Sequence, residues 1–200
     1  MESISRKRQG ELTKEKIFKN AVRLIKEKGY NDVTVSEICK ESGVSKGGFY
    51  VHYKSKEDIV RESYYSNMND YINDRFSKLN KKTLSIKDKI KIFLNLELEF
   101  AEYIGYELTC LSYVMNLNEC TKGESKHFEK REFSSILKEC ILEAKEQDML
   151  KENLSIDEAF LFIESGIRGF MASWCFSNNK FNISLLGKKY IDTIIESILI

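Results

Sequence analysis

Thr34-Val-Ser-Glu-Ile-Cys-Lys-Glu-Ser-Gly-Val-Ser-Lys-Gly-Gly-Phe-Tyr-Val-His-Tyr-Lys-Ser-Lys56 holds two short helical patterns with a glycine between them. Thr34 and Glu37 have the spacing of a capping box, which starts a helix at Val35. Ile38 points inward, and Cys39 is small enough for a second helix to pack close. Glu41-Ser42-Gly43 is the turn, where Gly43 takes a positive φ at no steric cost. Ser45 caps the second helix, and Val44 and Phe49 anchor it on the first. Two helices joined in this way make a helix-turn-helix, whose second helix commonly enters the major groove of duplex DNA.

The outward positions suit that groove. Lys46, Tyr50, His52, Tyr53, Lys54 and Lys56 supply donors and flat rings. Phosphate contacts fix register and base-edge contacts read sequence. Lys46, Tyr50, His52 and Lys56 are expected at phosphates, with Ser45, Lys46 and Tyr50 near base edges. Thr34, Gly47, Gly48, Tyr53 and Lys54 complete the expected face. Two glycines in so short a helix cost roughly 1 kcal/mol each relative to Ala. Either they let the backbone approach DNA closely, or the helix is weak and held by its neighbours.

Gly43-Val-Ser-Lys-Gly-Gly-Phe-Tyr-Val-His-Tyr-Lys-Ser-Lys-Glu-Asp-Ile59 resembles the signature of TetR-type transcriptional regulators. The shared pattern is Gly-Val-Ser, Lys-Gly, an apolar residue, Tyr, further aromatics, then Ser-Lys-Glu and an apolar residue. It reaches back to Ala21, Gly29 and Thr34, so the resemblance spans residues 13–60. It implies an all-helical homodimer with an N-terminal DNA-binding domain and a C-terminal domain that binds a small effector. The function so implied is a repressor that releases a palindromic double-stranded DNA operator when a small, largely hydrophobic effector binds. The alternative is a constitutive or partner-controlled DNA-binding dimer with no small ligand. Two positions depart from the pattern. Cys39 replaces the usual Ala, and Gly48 stands where many members have Thr, Ser or Ala, which removes one DNA contact.

Charge distribution agrees with a DNA-binding head. The chain of 200 residues has net charge +1, but residues 1–58 carry 13 basic and 9 acidic side chains, and the remainder is slightly acidic. The start of the chain is polar and basic, unlike a secretory signal. No run of about 18 apolar residues occurs, so a cytoplasmic protein with no membrane partner is expected. Five cysteines at 39, 110, 120, 140 and 175 form no CxxC pair and no zinc spacing. They are expected as reduced thiols, with redox sensing left open. No HExxH, GxSxG, P-loop or GxGxxG motif is present, so neither an enzyme, a metal nor a cofactor is expected.

The spacing predicts about nine helices, with a DNA-binding domain over 1–54 and an effector-binding and dimerisation domain over 55–200. Ser3–Gly10 reads as a mobile arm, and its Arg6 either reaches DNA or is solvated. Thr13–Lys28 is amphipathic and ends at Gly29. Ser55 to about Asn80 reads as one long connecting helix. By resemblance it transmits the effector signal. Further helices start at the capping pairs Ser85–Asp88 and Ser155–Glu158, at Tyr106, at about Lys126, and at Asn182.

The last two predicted helices hold more apolar residues than one core face needs. Phe162, Gly166, Gly169, Phe170 and Ser173 on the penultimate helix, with Tyr190, Ile191, Ile194 and Ile198 on the last, are expected to form an intermolecular four-helix bundle. The middle helices are rich in aromatics. Phe93, Glu97, Phe100, Tyr103, Tyr113, Phe133 and Trp174 are the candidate effector-site residues, being apolar walls with a few polar groups. That a cavity lies there is implied by the resemblance.

Overall fold

The computed structural model describes residues 2–62, 67–79, 83–123 and 132–200. Ten helices occur among the described residues: α1 (Glu2–Lys28), α2 (Val35–Ser42), α3 (Lys46–His52), α4 (Lys56–Glu62), α5 (Met68–Phe76), α6 (Ile86–Ile104), α7 (Tyr106–Thr121), α8 (Glu132–Glu146), α9 (Ile156–Phe176) and α10 (Ile183–Ile198). The fold is all-α. The expected connecting helix appears as α4 and α5. Its passage through Tyr64 and Tyr65, and the expected helix start at Lys126, lie outside the described residues.

The expected arm is instead the first turns of α1, which run without interruption into its buried half. Ile17, Phe18, Ala21, Val22, Leu24 and Ile25 are buried and fix that half by packing. Once a helix is nucleated, each further residue is cheap to add. The Arg, Lys, Gln and Glu residues ahead of Thr13 are good helix formers.

The head is built from α1, α2 and α3. Ile38, Phe49 and Tyr53 fill the space beneath α1. In the body, α6 is the central helix, packed by α5, α7, α8, α9 and α10. Ser85 Oγ accepts from the Asp88 amide at 3.1 Å and starts α6. Ser155 and Glu158 form a full capping box on α9, and Asn182 caps α10. The α9–α10 turn uses left-handed Asn178 and Asn179. Helices α6 and α10 approach closely at Gly187, where a Cβ would fall 2.2 Å from Leu98 Cδ1.

This close approach corrects part of the expected dimer face. Ile191, Ile194 and Ile198 are buried within the monomer. Gly166 also serves the monomer, since a Cβ there would meet Ile194 Cδ1 at 2.6 Å. The surplus of apolar residues on α10 is spent on both sides of that helix, and periodicity alone does not say which side meets the chain's own core. The C-terminus is pinned by a single antiparallel bridge between Leu150 and Leu199, with the Ile200 amide donating to Met149 O at 2.8 Å.

Candidate nucleic-acid interface

Caps decide where the two head helices begin. Thr34 Oγ1 accepts from the Glu37 amide at 3.2 Å, and the Glu37 carboxylate accepts from the Thr34 amide at 2.9 Å. Lys28 donates to the same carboxylate at 2.9 Å. The Lys28 ammonium, with Thr34, holds the Glu37 carboxyl down at about 2, against an ordinary 4.5. A lowered acid stabilises the fold fully above its ordinary value, so this contribution is lost only as pH falls from 4.5 toward 2. Gly43 sits at φ 62°, which lets the chain reverse after α2. Ser45 Oγ then accepts from the Gly48 amide at 3.0 Å and starts α3.

Phe49 faces inward and is fully buried. That orientation turns Ser45, Lys46, Gly47 and Tyr50 out to solvent, and Lys54 is exposed beyond the helix end. Gly48 and His52 are half-exposed, and Thr34 and Arg6 are exposed. His52 lies beside α1, with its Cε1 3.9 Å from where a Gly10 Cβ would be. Val51 is 79% exposed between these groups. Sequence reasoning missed it, although an apolar residue beside Tyr50 on a polar face is the signal. An aliphatic side chain there suits a thymine methyl group.

Two expected DNA contacts turn inward. Tyr53 is 1% exposed, packs on Phe49 and points its hydroxyl at Lys14 O, 3.5 Å away. The Lys56 ammonium donates to Tyr30 O and to Val33 O at 2.5 and 2.9 Å and lies over the Tyr30 ring. It ties α4 to the α1–α2 connection instead of reaching outward. Tyr30 and Val33 lie in the connection between α1 and α2, outside either helix, and the flexible lysine stem reaches their carbonyls.

The doubled glycine is not required by the head's own packing. A Cβ at Gly47 would lie 3.8 Å from Ser45 Oγ, and one at Gly48 would lie 3.4 Å from it. Gly47→Ala is therefore expected to raise stability by about 0.8–1 kcal/mol. If the glycine serves close approach to DNA, the same variant weakens operator binding at least about tenfold, roughly 1.4 kcal/mol. Urea melts and DNA titrations on one preparation check both.

Head and body meet at a joint of reciprocal caps. From α1, Lys26 donates to the carbonyls of Glu102 and Tyr103 at the end of α6, at 3.4 and 3.1 Å. Its stem lies over Gly105, where φ is 90° and a Cβ would meet Lys26 Cγ at 3.2 Å. From α7, Glu107 accepts from the Tyr30 amide at 2.8 Å. Further along α7, Glu119 lies 3.4 Å from Arg61 of α4. Helix α7 thus touches both the end of α1 and α4. Beside the joint is an open cavity of about 700 Å³. Ile25, Leu108, Trp174 and Phe181 give it apolar walls, and Lys26, Lys180, Glu102 and Glu107 stand at it.

Of the expected effector residues, only Trp174 lines that cavity. Phe93 and Phe133 are buried and stack at 4.5 Å, and Phe100 is buried beside Tyr71. Tyr103 is partly exposed and stacks on Tyr71. Tyr113 donates to Arg168 O at 3.1 Å. Glu97 is buried with Glu164 and Arg168, Nη2 of Arg168 lying 3.8 Å from Glu97 Oε1. On the outer face of α9, Phe162, Gly169, Ser173 and Phe176 are exposed, and nothing lies within 4 Å of a Cβ placed at Gly169. Leu185 and Leu186 of α10 are exposed as well. Phe170 and Tyr190 are half-buried and stack at 4.7 Å. No helix among the described residues is long and apolar enough to cross a membrane.

Comparison with known proteins agrees with this architecture. Residues 17–62 match the family model for bacterial regulatory proteins of the tetR family. Residues 115–199 match that for the C-terminal region of MAATS-type transcriptional repressors. The chain is 24% identical over 191 residues to the fatty acid metabolism regulator protein of Bacillus subtilis, covering 91% of this chain and 93% of that one. It is 26% identical over 211 residues to the HTH-type transcriptional regulator AcrR of Shigella flexneri, covering 97% and 93%. Its fold is similar to that of the transcriptional regulator FadR from Bacillus subtilis in complex with stearoyl-CoA, with a TM-score of 0.63 at 23% identity over 90% of this chain and 97% of that one. With its helix-turn-helix and its repressor-type C-terminal region both matched, the chain belongs to the TetR family and is a DNA-binding regulator of transcription.

Proposed function

We propose that the chain is a cytoplasmic homodimeric repressor that grips a palindromic operator and releases it when an effector binds the body. The observation that carries the DNA-facing part is the solvent-facing set Ser45, Lys46, Gly47, Tyr50 and Val51, held outward by buried Phe49. In this reading residues 1–54 are the head and 55–200 bind effector and partner. Lys46, Lys54, His52 and Arg6 supply phosphate contacts, while Ser45, Tyr50 and Val51 face base edges. Two heads about 34–36 Å apart would read successive major-groove turns. The exposed strip Phe162, Gly169, Ser173 and Phe176, with Leu185 and Leu186, is the proposed dimer face.

The effector is proposed to be amphipathic. The joint cavity has apolar walls at Trp174, Phe181, Ile25 and Leu108, with Lys26, Lys180, Glu102 and Glu107 as its charged groups. A long acyl chain with a polar headgroup fits that mixture, the headgroup meeting both the lysines and the carboxylates, and a relative of the same fold was solved with stearoyl-CoA. A ligand there would bear directly on Lys26 and Glu107. Release requires the ligand to bind the two states differently, and a factor of 10–100 in operator affinity corresponds to roughly 1.4–2.7 kcal/mol. Glu107→Ala removes the acceptor of the Tyr30 amide. It is expected to shrink the ratio of operator affinities with and without an acyl-CoA thioester by at least about fivefold, roughly 1 kcal/mol. Fluorescence anisotropy on an operator duplex reads this ratio. Operator binding insensitive to acyl-CoA thioesters and other hydrophobic ligands would instead favour a constitutive or partner-controlled dimer.

A further inference from the structure

We propose that Cys110 and Cys175 form an oxidisable dithiol that closes to a disulfide between α7 and α9 when the protein meets a hydroperoxide. The two residues are 65 positions apart in the chain, so no sequence motif joins them. The fold brings them together. Helices α7 and α9 pack directly, and Cys110 lies beside Cys175 across that packing. Tyr106 lies one helical turn before Cys110 and clamps the same spot. Its hydroxyl donates to Cys175 O at 3.0 Å, and its ring meets Trp174 edge-on at 5.7 Å. Neither residue is fully buried, and each keeps part of its surface exposed. Cys39 and Cys140 are buried and Cys120 is exposed.

The chemistry orders the two thiols. Burial, with Cys110 beside it, pushes the Cys175 thiol up to about 12. Cys110 therefore meets the oxidant first. Its thiolate attacks one peroxide oxygen, the O–O bond breaks, and the alkoxide or hydroxide takes a proton and leaves as alcohol or water. Cys110 is then a sulfenic acid, oxidised by two electrons, and the peroxide is reduced by two. A neutral sulfenic acid no longer sets a negative charge against Cys175, which eases loss of that proton. The Cys175 sulfur then attacks the Cys110 sulfur, the S–O bond breaks, and water leaves. Overall, two thiols and one hydroperoxide give one disulfide, one alcohol and one water. The bond would fix α7, the helix that holds α1 and α4 through Glu107 and Glu119, against α9; an effect on operator release rests on the regulatory reading above, but the disulfide itself does not.

The test uses the full chain carrying Cys120→Ser, because Cys110 and Cys120 share the tryptic peptide 92–122. Hydrogen peroxide is added at a few equivalents. The expected result is loss of two of the four remaining thiols and a non-reducing digest in which peptide 92–122 is linked to 169–180, reversed by dithiothreitol. Adding Cys175→Ser should stop the reaction at a Cys110 sulfenic acid, trapped by dimedone. The unsubstituted chain gives an independent reading, a mass lower by two hydrogens with no dimer formed on non-reducing gels. Retention of all thiols, or linkage of any other pair, would overturn the proposal.

Discussion

Arg168→Ala is expected to lower the free energy of unfolding by about 3–5 kcal/mol. Glu97 on α6 and Glu164 on α9 are almost fully buried, at 1% and 2% exposure. The Arg168 guanidinium lies between them, with Nε donating to Glu164 Oε2 at 2.7 Å and Nη2 lying 3.8 Å from Glu97 Oε1. Removing it takes from two buried carboxylates a positive charge that offsets their desolvation. Replacing the set together, as Glu97→Leu, Glu164→Leu and Arg168→Met, should cost far less, since apolar groups of similar size carry no such penalty. Urea melts of the two variants decide it. Equal losses in both would mean that packing volume, not charge balance, sets the cost.

Gly169→Arg is expected to convert the proposed dimer to a folded monomer of 23.4 kDa. The position opens outward between Phe162 and Phe176, and nothing in the chain's own fold lies within 4 Å of an added Cβ. The monomer should therefore melt as a folded protein. A close helix–helix contact at Gly169 would instead have to bury an unpaired charge, which costs several kcal/mol. Operator affinity should fall at least about 100-fold, roughly 2.7 kcal/mol, because the half-sites would no longer be gripped together. Multi-angle light scattering reads the mass, and a persisting dimer would place the interface elsewhere.

Much of the head was legible in the sequence because its signals are local. Thr34 with Glu37, Gly43 and Ser45 each act within three or four residues, and the structure uses all of them as spaced. Ser155 with Glu158 and Asn182 are local signals of the same kind. What was not legible depends on residues far apart in the chain. Lys56 turns inward because carbonyls at Tyr30 and Val33 lie within its reach. Tyr53 follows the end of α3, and only the position of α1 decides that its ring is covered. The apolar stripes of α9 and α10 announced themselves, but not the division between core and outer face. That division is set at Gly187 and Gly166, where α6, α9 and α10 come into close contact. The joint cavity is assembled from the end of α1, the α6–α7 turn and the α9–α10 connection. No local pattern encodes such a meeting.

The most direct test of DNA-facing α3 is selection of bound duplexes from a random pool, followed by anisotropy titrations of the enriched sequence across a salt series. The account predicts an inverted repeat with half-sites about 10 base pairs apart, centre to centre, and a steep loss of affinity with salt. It also predicts that Lys46→Ala flattens the salt slope by about one, while Tyr50→Ala relaxes sequence preference. Enrichment of no sequence, with affinity equal to that for random DNA and unaffected by either substitution, would contradict it.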